Sequence, residues 1–373
     1  MTKSTRRRVL QALGIGGAAS VAGCNTASYP SETGAAQTTT TTSSGGSTAA
    51  RSVDVDRVAA DPSDVPDPVD WSEPKHHEVT LRVEELTAEI EPGVTFNFMT
   101  FDGQVPGPMI RVRQGDTVSF TMENLPDNMR QHNVDMHAIY GTGGGNVATT
   151  AAPGESNAET FRADYPGAFI YHCAVPTLDM HISSGMFGMI VVEPKEGLPE
   201  VDREFYLGQH EVYTDKPAGK KGHHKFDMQA MKDETPSYVL FNGEKYPFTP
   251  DRYGPMAAKQ GERVRVFMVT GGPNLASSFH PIGNVWADAY PQGALASDPM
   301  KFVQTQTVPP GSTFVGEMDL PVTERIKLVD HSLSRVAHKG LLAEIDVAGE
   351  ERPDLFDPSP DKPASADEEG PKY

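Results

Sequence analysis

The segment AFIYHCAVPTLDMHISSGMFG, which begins at residue 168, contains several side chains that bind metals. They are His172, Cys173, His181 and Met186. A soft thiolate, imidazole nitrogens and a weak thioether are the ligands of electron-transfer copper sites. The upstream segment RQHNVDMHAIYG offers His132 as a further imidazole. A single buried cysteine or methionine would indicate only core packing, but Cys173, His181 and Met186 together with His132 predict a copper site.

The spacing of the neighbouring residues separates them into two sets. Successive side chains of a strand point to opposite faces, so His172 and Cys173 are expected to point apart. His132 and His137 are an odd number of positions apart and should also diverge, whereas Asp135 and His137 should share a face. The pattern therefore predicts a second set, Asp135, His137 and His172, which the His172–Cys173 peptide bond connects to the first as a covalent path for an electron.

The second set contains only two imidazoles. A stable histidine-only metal site takes three and leaves one position open for substrate. The rest of the chain offers His280 in SSFHPIG, and His331 and His338 in LVDHSLSRVAHKG. The second half of the chain repeats the pattern of the first. His331 is expected to occupy the place in the second half that His172 occupies in the first, and it is therefore the predicted third ligand. Of the remaining histidines, His76, His77, His223 and His224 are interpreted as solvated, and His210 and His338 as hydrogen-bonded structural residues.

Short strands are the elements that must hold these residues. Among the 373 residues are 35 Gly and 31 Pro, which favours strands and turns over long helices. Segments such as MIRVRQGDTVSFTMEN alternate between apolar and polar residues, as half-buried strands do. A similar cycle recurs later, because AAKQGERVRVFMVTGG repeats the pattern of that segment. We predict an all-β chain of two tandem Greek-key β-sandwich domains, at residues 71–198 and 199–349.

The first thirty residues are interpreted as a targeting segment. Arg6–Arg8 precede an apolar run that is too short to span a bilayer comfortably, and the run ends in VAGC. This order predicts a twin-arginine export signal with a lipobox-like Cys24, whereas ordinary cleavage near Ala27 is the alternative. If Cys24 carries a lipid, the protein is anchored at the extracytoplasmic face of the membrane and Cys173 has no disulfide partner.

Charge and low complexity describe the rest of the chain. The composition of residues 31–70 predicts a disordered tether, and that of residues 350–373 predicts an acidic disordered tail. The formal net charge of −19 argues against nucleic acid as a partner, because binding it requires a basic face. A strongly acidic surface is also typical of proteins from salt-loving organisms, so we expect a halophilic source. Full activity at low salt would contradict that expectation.

The motifs HNVDMH, YHCAVPTLDMHISSGM, FHPIG and LVDHSL resemble those of the copper-containing nitrite reductases, over nearly all of residues 75–350. The resemblance implies two cupredoxin domains, a homotrimer and two coppers per subunit. The implied ligands of the type 1 copper are His132, Cys173, His181 and Met186. The type 2 copper is implied to lie between subunits, where His331 completes the His137/His172 site of a neighbour.

The loop between Cys173 and His181 departs from many members of that family. Seven residues separate the two, and Met180 precedes His181, whereas many members have a longer loop with a tryptophan. This resembles the shorter-loop branch of the family, which includes lipid-anchored bacterial proteins.

The resemblance also implies a dissimilatory reaction that converts nitrite to nitric oxide and water with one electron and two protons. A small blue copper protein or a c-type cytochrome is the implied electron donor. Asp135 and His280 are implied to handle protons, since an imidazole titrates near neutrality, and Ile282 is implied to pack over nitrite. Gln304 and Thr305 are expected to orient His280.

Two other functions compete with this interpretation. A multicopper oxidase of laccase type builds its trinuclear centre from His-x-His pairs, and the sequence contains none. A membrane-tethered electron carrier without catalysis would use only the thiolate site. It would leave Asp135, His137, His172, His280 and His331 without a common purpose, and it would bind one copper per chain instead of two.

Overall fold

The computed structural model describes residues 57–357. The predicted export signal with Cys24, the first part of the predicted tether and the end of the predicted acidic tail lie outside these residues. Among the described residues, no helix is long and apolar enough to cross a membrane. The helices are short, and they are α1 (Asn146–Thr149), α2 (Leu178–Ser183), α3 (Met228–Lys232) and α4 (Ser334–Lys339).

Strands of the first half form two sheets. They are β1 (His76–Glu91), β2 (Val94–Phe101), β3 (Ile110–Arg113), β4 (Thr117–Asn124), β5 (Asp135–Met136), β6 (Ser156–Arg162), β7 (Gly167–His172) and β8 (Phe187–Glu193). One sheet has the order β2-β1-β4-β6 and the other β3-β8-β7-β5. In β4 the residues Val118, Phe120 and Met122 are buried and alternate with partly exposed ones, as their pattern predicted.

Strands of the second half form another two sheets. They are β9 (Arg203–Val212), β10 (Gly222–His224), β11 (Tyr238–Phe241), β12 (Met256–Lys259), β13 (Arg263–Gly272), β14 (Ser277–Ile282), β15 (Trp286–Pro291), β16 (Met300–Val303), β17 (Gln306–Val308), β18 (Ser312–Asp319), β19 (Glu324–Asp330) and β20 (Leu342–Ala348). The sheet orders are β11-β9-β13-β18-β15-β16 and β12-β20-β19-β14-β17, while β10 joins the first half beside β2.

The pairings of the two halves correspond strand by strand. β4 pairs antiparallel with β6, as β13 does with β18. β3 runs parallel to β8, as β12 does to β20, and β7 and β19 are antiparallel to those partners. The chain is therefore all-β with two β-sandwiches in tandem, as the sequence predicted. The boundary at residue 198 stays a prediction.

The predicted tether is wrong for its last part, because residues 57–65 are not a free linker. Val58 is fully buried, and Ala59 bridges Val105. The carboxylate of buried Glu244 accepts hydrogen bonds from the main-chain N–H groups of Val58 and Ala59, both at 3.1 Å. Composition could not reveal this, since the partners that order the segment come from far along the chain.

Candidate metal centres

Cys173, His132 and His181 form the first group of potential ligands. Cys173 follows the end of β7, His181 lies in α2, and His132 lies before β5 in a two-residue bridge with Ala151. The Cys173 Sγ is 3.8 Å from His132 Nδ1 and 3.5 Å from His181 Nδ1, and the two imidazole nitrogens are 3.2 Å apart. All three residues are buried. Their ligand atoms therefore converge on one point inside the first sandwich.

Met186 lies beside this group. Its main-chain carbonyl accepts a hydrogen bond from Cys173 N–H at 3.2 Å, and its own N–H donates to the His181 carbonyl at 3.1 Å. The side chain is fully buried in the same apolar cluster as Cys173. The short loop thus ties the methionine to both neighbouring ligands through its backbone.

The chemistry of these donors fits a copper ion. Burial raises the pKa of the Cys173 thiol to about 11, so the thiol has no partner that ionises it in the protein alone. Burial, with electrostatic interactions from His132 and Arg130, lowers the pKa of His181 to about 3, which leaves a neutral imidazole with a free lone pair. A metal that binds here displaces the thiol proton. Two imidazoles and a thiol, with a methionine whose backbone is bonded to two of these residues, match the blue-copper ligand set.

Asn133 and Glu85 support the first group, and the sequence interpretation missed both. The Asn133 side-chain oxygen accepts from Ala174 N–H at 2.7 Å and lies 3.8 Å from the Cys173 Sγ, so it holds the cysteine loop. The Glu85 carboxylate lies 3.1 Å from His132 Nε2. Burial opposes ionisation of Glu85, but the contacts with His132 and Arg130 prevail and hold its pKa at about 2. Asn133 follows His132 directly in the HNVDMH motif, although its role shows only in the fold, whereas no motif indicates Glu85, which lies far upstream.

Asp135, His137 and His172 form the second group. Asp135 on β5 pairs with His172 on β7, and His137 Nε2 lies 3.2 Å from His172 Nε2. The His172 Nδ1–H donates to the Cys173 carbonyl at 3.0 Å, which leaves Nε2 with its lone pair for a metal. Within the described part of the chain, no other imidazole, thiol or carboxylate joins this group within 4.8 Å.

A glycine turn allows the second group to form. Gly144 has a φ of +56°, and a Cβ there would lie 2.0 Å from the Asp135 carboxylate. Only glycine fits such a backbone at that distance. The structure thus sorts the residues into the two sets that strand alternation predicted, although β5 has only two residues and His132 lies outside it.

His280 and His331 form a separate pair in the second sandwich, with ring centroids 5.3 Å apart. The His280 Nδ1–H donates to the main-chain carbonyl of Gln304 at 2.6 Å, so the backbone and not the amide side chain orients this imidazole. Thr305 makes no described hydrogen bond to His280. Ile282 ends β14 and is 40 % exposed. His331 is exposed as well.

Asp330 holds the loop that carries His331, and the sequence interpretation missed this role. Its fully buried carboxylate accepts from the N–H groups of Ser278 at 3.0 Å and Ser332 at 2.9 Å, and it pairs with Arg335. The His331 N–H donates to the Ser278 carbonyl at 2.7 Å. These bonds hold the stretch of backbone that carries the exposed imidazole.

The register corrects the expected correspondence between His331 and His172. Arg162 and Asp319 occupy the same place in the two halves, opposite the first residues of β4 and β13. Ten residues along, His172 corresponds to Val329, so His331 lies two residues beyond the equivalent position. Because Asp135 pairs with His172 and His280 pairs with Val329, it is Asp135 and His280 that correspond.

Two of the remaining histidines are buried. His224 was expected to be solvated, but it is fully buried, and its ring contacts Thr214 and the Lys220 carbonyl. β10 carries it into the sheet of the first half, a placement that its Lys- and Gly-rich surroundings conceal. His210 is also fully buried, and burial lowers its pKa to about 4 although its Nδ1–H donates to the Ser183 carbonyl.

Comparison with known proteins finds copper proteins as relatives. A family model described as multicopper oxidase matches residues 82–197. The copper-containing nitrite reductase of Neisseria meningitidis serogroup B is 43% identical over 302 residues, which is 81% of this chain and 76% of that protein. The corresponding protein of Rhizobium sullae is 33% identical and covers 76% of this chain and 78% of its own length.

Solved structures give the same result. The copper nitrite reductase from Nitrosomonas europaea superposes with a TM-score of 0.67 at 36% identity, covering 74% of this chain and 96% of that one. A copper-containing nitrite reductase from Thermus scotoductus gives 0.64 at 29%, covering 74% and 63%. A multicopper oxidase at 24% identity, with a TM-score of 0.62 and coverage of 73% and 89%, shares the fold.

Proposed function

Because the chain belongs to the copper-containing nitrite reductases and is thus a copper-dependent oxidoreductase, we propose that it reduces nitrite to nitric oxide and water with one electron and two protons. One observation carries this proposal. Adjacent residues, Cys173 and His172, belong to different ligand groups, and such an arrangement suits a protein that accepts an electron at one place and uses it at another.

The residues of each group have distinct tasks. Copper, when bound, supplies one-electron redox chemistry at the first group and a Lewis-acidic position for nitrite at the second. His132, Cys173, His181 and Met186 would hold the type 1 ion. Cys173 and His172 then provide the covalent path between the groups, since one peptide bond joins them. A small blue copper protein or a c-type cytochrome is the proposed donor.

The second group needs a further ligand, and another copy of the chain is its proposed source. His137 is exposed, and the described residues of the same chain add no third imidazole to His137 and His172. His331 is exposed on the second sandwich, and hydrogen bonds to Asp330 hold the loop that carries it. We infer a homotrimer in which His331 of each subunit completes the type 2 site of a neighbour, for a total of two coppers per subunit.

Asp135 and His280 are the proposed proton donors. Asp135 lies in the second group beside the position where nitrite would bind. His280 has its Nδ1–H committed to the Gln304 carbonyl, which leaves Nε2 to take up and release a proton. A shared site would bring His280 of one subunit to Asp135 of the next, because the His280 ring lies edge-on beside His331. Ile282 would then close over nitrite.

We also propose export by the twin-arginine route and a lipid anchor at Cys24. The support for this is the arginine run and the VAGC motif at the N-terminus. The reaction would then take place at the extracytoplasmic face of the membrane. Labelling of wild-type protein and of Cys24→Ala with a radioactive lipid precursor tests the anchor, since only the wild type should incorporate the lipid.

Anaerobic turnover tests the proposed reaction. Purified protein is given an artificial one-electron donor and nitrite, while nitric oxide is followed with an electrode and copper is counted per chain. We expect nitric oxide as the product, and two coppers. Ammonium as the product would refute the proposed reaction. One copper per chain without nitrite turnover would instead favour the electron carrier.

A further inference from the structure

Glu85 on β1 reaches the first ligand group from outside it. Its carboxylate Oε1 accepts from the N–H groups of Met129 at 3.0 Å and Arg130 at 2.8 Å, and it lies 3.1 Å from His132 Nε2. Oε2 accepts from the Arg130 guanidinium at 2.9 Å. The Glu85 side chain is 13% exposed and the His132 side chain is fully buried. A carboxylate with this many donors stays ionised inside the protein.

The two nitrogens of His132 therefore have different partners. Nδ1 faces Cys173 Sγ and His181 Nδ1, while Nε2 faces Glu85. A carboxylate on the far nitrogen of a metal-binding imidazole fixes its tautomer and its ring orientation, and it makes the ligating nitrogen a stronger electron donor. His181, the other imidazole of the group, has no described carboxylate on its ring, so the support is specific to His132.

We propose that Glu85 is a positioning residue that fixes His132 and lowers the reduction potential of the type 1 copper. The inference rests on the proposed function, since it requires copper at the His132–Cys173–His181 group. A fixed negative charge close to the ion stabilises the dipositive state more than the monopositive state. Arg130 opposes this effect, because its positive charge partly neutralises Glu85. The protein would thereby tune how readily its first copper passes an electron onward.

An optical redox titration of the thiolate-to-copper absorption tests this inference on the full-length protein. Glu85→Gln removes the charge and keeps the size and one acceptor oxygen. We expect the equilibrium between reduced and oxidised type 1 copper to shift about tenfold toward the reduced form, at the lower end of effects of such supporting residues, which raises the potential by ~59 mV. Arg130→Gln should lower the potential by a smaller amount.

Glu78→Gln is the matched control, because Glu78 lies on the same strand with a 77% exposed side chain. It should leave the potential unchanged. Shifts of opposite sign in Glu85→Gln and Arg130→Gln support a role of charge, whereas equal-signed shifts would mean that both changes only disorder the loop and would overturn the inference. An unchanged potential in Glu85→Gln also overturns it.

Two further outcomes keep the tests separable. If Glu85→Gln fails to bind type 1 copper, the Arg130→Gln potential decides, since a lowered value supports the inference and an unchanged value overturns it. A wild-type protein that lacks thiolate absorption would refute the proposed type 1 site itself. Thiolate absorption in the wild-type protein, together with a potential that Glu85→Gln leaves unchanged, would refute only the role of Glu85.

Discussion

The two ligand groups of the first sandwich differ in how much of a metal site one chain supplies. The group around Cys173 is buried, and its residues come from one short stretch of sequence and one upstream segment. The group around His172 is open at His137 and has two imidazoles. Under the proposed function, folding of one chain forms the electron-entry site, whereas the catalytic site takes a ligand from a second copy of the chain.

The residues that support the two groups by hydrogen bonds also come from different places. Around the first, Asn133 and Glu85 hold the cysteine and histidine loops from within the same sandwich. Around the second, the supports are divided: the His172 imidazole is fixed by the neighbouring Cys173 carbonyl, and the His331 loop is fixed by Asp330 in the other sandwich. Changes that affect one site and spare the other therefore test the comparison.

Cys173→Ala should have the largest effect. The variant loses the only thiolate of the first group, so we expect complete loss of the intense thiolate absorption and of turnover with an electron donor. The second copper should remain, because His137 and His172 are unchanged. Absorption spectra and copper counts measure both outcomes. Persistent colour would mean that the ligand assignment is wrong.

Asp135→Asn and His280→Asn should each retain both coppers but lose proton delivery. We expect turnover to fall about 10²- to 10⁴-fold, the usual contribution of a positioned acid or base. His338→Asn is a suitable control, since His338 is an exposed histidine on α4 of the same sandwich. Wild-type turnover in either Asp135→Asn or His280→Asn would remove that residue from the proposed mechanism.

Asp330→Asn should weaken only the shared site. Asparagine keeps an acceptor oxygen for the N–H groups of Ser278 and Ser332 but removes the charge that pairs with Arg335, which loosens the loop of His331. We therefore expect the affinity for the second copper to fall about 10-fold. Dialysis against a chelator, followed by copper counting, measures this loss. The thiolate absorption should persist, and Asp346→Asn on β20, where the side chain is 49% exposed, should change neither site. Equal loss of both coppers would contradict the claim that different residues support the two sites.

His210→Gln should change acid stability and leave both sites intact. The folded protein holds the pKa of His210 at about 4, below its ordinary 6.5, because the ring is buried. Between about pH 6.5 and pH 4 the unfolded chain binds a proton that the folded chain excludes, so stability falls as pH falls. In the variant this loss should shrink by up to about 3 kcal/mol. Denaturation midpoints of the wild type and the variant, measured at pH 7 and pH 4.5, test whether the variant loses less stability as the pH falls.

The sequence predicted the fold and the two ligand sets because both depend on local regularities. Alternation in segments such as β4 gave the strands, and the adjacency of His172 and Cys173 at the end of β7 separated the sets. The odd spacing of His132 from His137 gave the right result without its assumed cause, because β5 contains neither residue. The residues that support the sites escaped prediction, since Glu85 and Asp330 act through contacts with loops that only the folded chain brings near. The correspondence of His331 with His172 failed by two residues because strand register depends on pairing and not on motif order.

Complementation between subunits tests the sharing of the second site most directly. His137→Ala and His331→Ala chains are each expected to be inactive when produced alone. In oligomers assembled from equal amounts of both chains, each site takes His137 from one subunit and His331 from another, so roughly one quarter of the sites should be intact. Nitrite turnover that returns toward that fraction is the predicted result. Verified mixed oligomers that stay inactive while each variant keeps its thiolate absorption would contradict a site shared between subunits.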